Sequence, residues 1–262
     1  MSTQYDAIQA PYDEIRKTSI SFIEQENVHG AIAPWIHGAR VLDLACGSGF
    51  YTKEFVGWGA RSVLGVDISS AMLAGARRAM DEAGLNASQV SFEQADCTRP
   101  AAYRGGPFDV VFGAWLLNYA GGAGALTDAF RNVAANLAEG GRFVGVTTAP
   151  THDPAAFYAA ENAARPRGSG LLMGRPTGPV DDGFAVHMHG DTDRGAVDFD
   201  FFHLRQDVYE AAARDAGLRG PLEWRVTAVS DEFLESRRGH DDFEEVESYK
   251  VTPNYGVLII AK

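Results

Sequence analysis

The chain has 262 residues, a length for one or at most two domains, and its 45% hydrophobic and 22% charged content is ordinary for a chain that buries a full core. Its 23 Lys and Arg against 35 Asp and Glu leave a formal charge of −12. That argues against nucleic acid or an anionic membrane as main partner, because phosphate binding needs clustered Lys and Arg, and basic runs such as Arg77-Arg78 and Arg237-Arg238 reach only two residues.

Residues 12 to 35 read as an N-terminal helical segment, with Ile15, Ile20, Phe22 and Ile23 roughly on one side. From 40 to 148 short apolar runs alternate with helical periodicity. Val41–Ala45 is a first strand ending at Cys46-Gly47-Ser48-Gly49, Ser62–Val66 a second closed by Asp67, and Val90–Glu93 a third followed by Asp96. Phe108–Phe112 and Arg142–Val146 are the fourth and fifth. Val-rich runs of about five residues suit strands buried on both faces of a parallel sheet. Between them, Ser69 or Ser70 caps a helix through Met80, with Gly84 placed to end it. Leu126, Phe130, Val133 and Leu137 form one helix face stopped by Gly140-Gly141. This alternation gives right-handed βαβ units and an open doubly wound sheet, whose ligands sit at the carboxyl ends of the strands.

From about 150 to 204 regularity gives way to Gly, Pro, His and Phe, read as a cap over the strand ends with one or two short strands such as Val197–Phe202. Val208, Ala211, Ala212 and Ala216 return to helix, ended by Gly217; Arg225–Val229 and Tyr255–Ala261 are the closing strands. The expected fold is α/β: a Rossmann-like doubly wound seven-stranded sheet with an N-terminal helical lid and a cap insertion. Its parts are a lid at 1–38, a cofactor-binding core at 39–149, a substrate cap at 150–204, and a closing helix and strands at 205–262.

The densest signal is Asp43-Leu44-Ala45-Cys46-Gly47-Ser48-Gly49 at a strand end. Gly47 and Gly49 allow a tight turn and close approach to a ligand. Position 52 is Thr, so the dinucleotide fingerprint is broken, and no Gly-Lys-Ser/Thr is present to make a P-loop. Acids replace these signatures. Asp67 suits two ribose hydroxyls, Asp96 an exocyclic adenine amine, and Asp43 an ammonium. Three carboxylates without a basic cluster imply a cofactor with ribose and base that carries positive charge instead of pyrophosphate.

The segments VLDLACGSGFYTKEF, LGVDISSAML, FEQADC and FDVVFGAWLLNY, in that order, resemble the class I S-adenosylmethionine-dependent methyltransferases over roughly residues 40–150. The N-terminal YDAIQAPYDEIRK resembles the first helix of small-molecule methyltransferases, including the toxoflavin-biosynthesis type. The resemblance implies S-adenosylmethionine as cofactor, with Asp43, Ala45, Cys46, Gly47 and Gly49 around its methionine end. It also implies Asp67 on the ribose, Asp96 on the adenine amine, Ile68 and Met72 flanking the adenine, and Cys97 near it. Ala114 and Trp115 would line the methyl donor.

Methyl transfer from a sulfonium needs alignment and exclusion of water, with a general base when the acceptor is weak. Tyr12, on a lid closing over the cofactor, and His203, after Phe199, Phe201 and Phe202, are the candidate catalytic residues; Tyr12 is also a candidate cofactor contact. Tyr119, Phe184, His187, His189 and Phe201 are candidate acceptor contacts. His187-Met188-His189-Gly190-Asp191 lacks the sequel of a binuclear metal motif, so no metal is expected. Cys46 and Cys97 sit in no zinc or disulfide spacing and read as small buried fillers. The acid run Asp241–Glu247 reads as a solvated face, with recognition of a cationic acceptor as the sharper alternative.

The opening residues lack the basic start and apolar core of a signal peptide, and no apolar run approaches the ~20 residues that span a bilayer, so the expected location is the cytoplasm. The expected activity is methylation of a small-molecule acceptor at nitrogen, carbon or oxygen, with an aromatic or heterocyclic natural-product intermediate favoured. The alternative is the same fold used as a non-methylating enzyme of cyclase type or as an adenosyl-binding regulator.

Overall fold

The computed structural model describes residues 14–164, 173–192 and 195–262. The elements, in order, are α1 (Ser19–Ile36), β1 (Arg40–Leu44), α2 (Phe50–Gly57), β2 (Ser62–Asp67), α3 (Ser70–Glu82), β3 (Val90–Gln94) and β4 (Phe108–Ala114). A single 3-10 turn (Leu117–Tyr119) precedes α4 (Ala123–Asn136) and β5 (Leu137–Thr148). Then follow α5 (Pro154–Ala164), β6 (Met173–Val180), β7 (Gly183–Thr192), β8 (Gly195–Leu204), α6 (Gln206–Asp215), β9 (Leu222–Val226), α7 (Asp231–Ser236), α8 (Phe243–Val251) and β10 (Tyr255–Ala261).

The main sheet has seven strands in the order β3-β2-β1-β4-β5-β10-β9. β1 to β5 run parallel, while β10 is antiparallel to both β5 and β9. The strand order reverses beside β1, so the ends of β1, β2 and β4 open a crevice at the switch point, where ligands of such sheets bind. Val41, Leu42, Leu44, Val110, Val111 and Phe112 are wholly buried, as near-continuous apolar runs in a doubly covered sheet require. One face packs on α4 and α6 through Leu126, Phe130, Val208 and Tyr209; the other packs on α1, α2 and α8 through Ile23, Ile32, Phe55, Val246 and Tyr249.

Ser69 caps α3, its hydroxyl accepting from the Met72 N–H at 3.1 Å. Two boundaries and one segment differ from the sequence expectation. α4 stops at Asn136, and Leu137 opens β5 opposite Phe108, because the Asn132 and Asn136 amides turn away to bind the loop carbonyls of Cys97 and Ala101. β9 spans Leu222–Val226, not Arg225–Val229, since the Thr227 hydroxyl and N–H both donate to the Tyr255 carbonyl at the sheet's edge. The segment after residue 150 is also more regular than expected. Helix α5 and a three-stranded antiparallel sheet, β6-β7-β8, pack around Tyr158, Val186 and Phe201. Its alternating pattern was hidden by glycine and proline within β6.

No helix among the described residues is long and apolar enough to cross a membrane.

Candidate active site

At the carboxyl end of β1 the chain turns sharply. Gly47 has φ +55° and Gly49 φ +85°; a Cβ on Gly47 would meet open space, whereas one on Gly49 would press at 3.1 Å on the Ala76 Cβ of α3. Gly47 therefore leaves its side open to a ligand, and Gly49 lets two helices approach. Two residues other than glycine also take positive φ, Ala45 (57°) and Trp115 (59°), at the ends of β1 and β4. Such backbone costs of order 1–3 kcal/mol per residue and gathers at functional sites.

Asp67, at the end of β2, accepts from the Gly47 N–H at 2.9 Å and the Ser69 N–H at 2.8 Å, fixing the glycine turn against the start of α3. A carboxylate has lone pairs for about four such bonds. Asp96 stands half-buried after β3, where it accepts from the Thr98 N–H and hydroxyl and faces Arg99 at 3.3 Å. Gly47, Ile68, Asp96, Ala114 and Trp115 are partly accessible residues at or just after the strand ends.

Asp43, expected to attract an ammonium, is held inside the fold. It is buried, and its carboxylate accepts from the Thr52 hydroxyl at 2.6 Å, bracing β1 to α2. Burial, reinforced by the neighbouring Asp67 charge and opposed by the Thr52 hydrogen bond, pushes its carboxyl up to about 7. Cys97 is likewise a strut under the turn: its thiol receives the Ala45 N–H at 3.4 Å and donates to the Val66 carbonyl at 3.5 Å. Burial raises the pKa of both Cys46 and Cys97, so neither is a nucleophile. Met72 is buried within α3.

Beside the crevice lies a cavity of about 370 Å³. Its walls come from the start of α1, the β4 end (Trp115, Asn118, Tyr119), α5 (Phe157, Tyr158, Glu161), the inner face of the small sheet (Met188, Phe199, Phe201), α8 and the start of β10 (Asn254, Tyr255). Tyr119 and Phe201, two of the candidate acceptor contacts, line this cavity. Phe184 does not line the cavity, and neither do His187 and His189. Strand alternation turns the two imidazoles to the opposite face from Val186 and Met188, where they pair with Asp200 at 2.8 Å and Asp198 at 2.7 Å.

His203 is also corrected. It is wholly buried outside the cavity lining; Nε2 donates to the Ala149 carbonyl at 2.8 Å and Nδ1 faces the Tyr158 hydroxyl at 3.3 Å. Burial lowers its pKa to about 4. It is a neutral post holding β8 to the turn after β5, with no nitrogen left to take a proton from an acceptor. Tyr12 lies outside the described residues.

Glu24 escaped the sequence reading. This buried carboxylate of α1 accepts from Arg16 Nη1 at 2.8 Å, Tyr51 Oη at 2.7 Å and Trp115 Nε1 at 2.8 Å. The Arg16 guanidinium lies 4.8 Å above the Phe50 ring. One acid thus ties the N-terminal helix, the helix after the glycine turn and the end of β4. Its signal was present: a lone acid four residues after Ile20 and four before Val28, inside an apolar stripe. The acid run is corrected in part, since Asp242 and Glu245 line the cavity while Asp241, Glu244 and Glu247 face solvent.

Residues 41–141 match the family described as "Methyltransferase domain". The chain carries a class I methyltransferase domain. Within it the match to the ubiquinone biosynthesis O-methyltransferase of Nitrosococcus oceani is 31% identical over 109 residues, 42% of each chain. A tRNA U34 carboxymethyltransferase of Methylococcus capsulatus is 45% identical over 47 residues, 18% of this chain and 14% of that one. This chain thus matches less than half the length of these curated relatives. The solved structure of an S-adenosylmethionine-dependent methyltransferase from Mesorhizobium loti superposes with TM-score 0.62 at 22% identity, over 92% of this chain and 98% of that one. The methyltransferase domain is therefore seated in the same whole-chain fold, outer elements included. These relatives do not single out the toxoflavin-biosynthesis type.

Proposed function

We propose that this chain is an S-adenosylmethionine-dependent methyltransferase acting on a small aromatic or heteroaromatic molecule. The observation that carries the reading is the double placement of Trp115. It ends β4 with positive φ, as Ala45 does at the end of β1 before the open glycine turn, and it also lines the aromatic-walled cavity. The chemistry of the donor set fits the cofactor: a glycine with nothing opposite its missing Cβ, an acid at the end of β2, and no nearby Lys or Arg cluster of the kind a pyrophosphate needs.

In this reading Asp67 holds the ribose, Asp96 the adenine edge, and Ile68 and Met72 the adenine faces; the glycine turn and Trp115 bound the methionine end. When bound, S-adenosylmethionine supplies an electrophilic methyl group on a positively charged sulfur. The chain's own part is alignment and dryness. Glu24 locks Trp115 and Tyr51 in place, and Phe157, Phe199 and Phe201 keep water from the reacting face. Burial raises the pKa of the Tyr119 phenol, which stays protonated at neutral pH and serves as a polar wall group, not a base. No imidazole lines the cavity among the described residues. Segments 1–38 and 150–204 act as lid and cap.

The test is turnover. Incubating the protein with S-adenosylmethionine and a panel of aromatic metabolites is expected to release S-adenosylhomocysteine together with a product heavier by one methylene, detected by mass spectrometry. Cofactor binding without methylated product across the panel would instead favour the non-methylating or regulatory use of the fold.

A further inference from the structure

Four buried side-chain polar atoms have no hydrogen-bond partner among the described residues: Asn118 Oδ1, Thr148 Oγ1, Asn254 Oδ1 and Tyr255 Oη. All four belong to residues that line the 370 Å³ cavity. Buried polar atoms are nearly always paired, and leaving one unpaired costs about 1–3 kcal/mol. Their gathering on one wall marks the place where a bound molecule completes the set. Asn118 is the most telling, being only 1% exposed on the turn directly after Trp115.

The charges around them are uneven in kind. Among the described residues three cations line the cavity, and each already has a carboxylate: Arg16 with Glu24 at 2.8 Å, Lys17 with Glu14 at 2.8 Å, and Arg237 with Asp242 at 2.6 Å. Two further acids line the same cavity: Glu161, and Glu245, which accepts from the Tyr249 hydroxyl. An incoming carboxylate or phosphate would find two hydroxyls able to donate, Thr148 and Tyr255, but also two amide oxygens and several acids, with the cations of the described lining already engaged. A molecule carrying N–H donors would meet what it needs.

Resting on the proposed methyl transfer, we infer that the acceptor is a flat aromatic or heteroaromatic amine, neutral or cationic. Its N–H groups are received by Asn118 and Asn254, and its ring is flanked by Trp115, Phe157 and Phe201. The carbonyl oxygens of the two amides read the donors, and the aromatic walls read the ring. An acceptor whose recognised group is anionic is disfavoured by the acids of the same wall.

Matched probes test this on the full chain: tryptamine against indole-3-propionate, which share ring and chain length but end in an amine or a carboxylate, with 2-aminobenzimidazole as a neutral amine. Calorimetry is expected to give saturable binding of at least one amine, about tenfold or more tighter than the acid, the step that about 1.4 kcal/mol produces. Asn118→Leu is expected to reduce that preference severalfold, and Asn254→Ala serves as the second variant should the first fail to fold. Equal or tighter binding of indole-3-propionate, or no saturable binding of either amine, overturns the inference. S-adenosylmethionine titrated separately keeps the two readings apart. If it binds while the amines do not, the acceptor class falls alone. If the amines are preferred while it does not bind, the methyl-transfer reading falls and the cavity's preference stands.

Discussion

Two buried ionisable side chains give opposite pH dependences. The Asp43 carboxyl titrates near 7 in the folded chain against an ordinary 3.8, so it keeps a proton that the unfolded chain gives up. Its contribution is complete below pH 3.8 and is lost as pH rises to 7. His203 titrates near 4 against 6.5, so its contribution is present above pH 6.5 and lost as pH falls toward 4. Between these limits the slopes oppose, each of order 1 kcal/mol per pH unit. Urea unfolding followed from pH 4.5 to 6.5 is expected to show Asp43→Asn losing stability with falling pH and His203→Gln gaining it, while the parent changes little. Parallel slopes in the two variants would refute these assignments. Glu24→Gln places an amide N–H where three donors already converge, and should cost about 2–4 kcal/mol of stability. It should also lower kcat/KM by about tenfold or more through loss of Trp115 alignment, with calorimetry of cofactor binding and steady-state rates as the checks.

At the scale of elements, Gly65 in the middle of β2 sets how closely β2, β3 and the glycine turn pack. A Cβ there would sit 2.7 Å from the Phe92 ring and 3.0 Å from the Cys46 sulfur, so both must shift to admit it. Gly65→Ala is expected to cost about 1–3 kcal/mol by overpacking, read as a lowered Tm, and to weaken binding at the turn above it. The strands of the core were legible because a doubly covered parallel sheet writes itself as five-residue apolar runs, and Asp67 and the Gly47–Gly49 turn could be placed from their spacing alone. The small sheet was less legible. β7 and β8 alternate, but His187 and His189 look like site residues until their facing partners Asp200 and Asp198 are known, and those pairings depend on register. His203 failed for a related reason: following three Phe-rich positions, a histidine reads the same whether it borders a cavity or fills a core. Asn118, Asn254 and Tyr255 could not be found in advance, because what marks them is the lack of a partner in space.

The whole molecule is acidic, and its −12 charge divides into a few placed groups and a solvated remainder. Asp43 braces, Asp67 sets the glycine turn, Glu24 ties three elements, and Asp242 neutralises Arg237 at the cavity rim. A net charge of −12 weighs against a polynucleotide acceptor, which needs a basic track. In a mobility-shift assay at about 0.15 M salt, where long-range attraction is screened beyond ~8 Å, unfractionated tRNA is expected not to be retarded. Retardation there would reopen the tRNA-modifying possibility that one relative raises. The central claim is that the strand-end crevice holds S-adenosylmethionine through Asp67. Its most direct test is calorimetric titration of S-adenosylmethionine into the parent protein and into Asp67→Ala. Saturable one-site binding is expected in the parent, weakened about tenfold or more in the variant by loss of a charge-assisted hydrogen bond of about 2 kcal/mol. Absence of saturable binding, tighter binding of NAD, or full affinity in Asp67→Ala would contradict it.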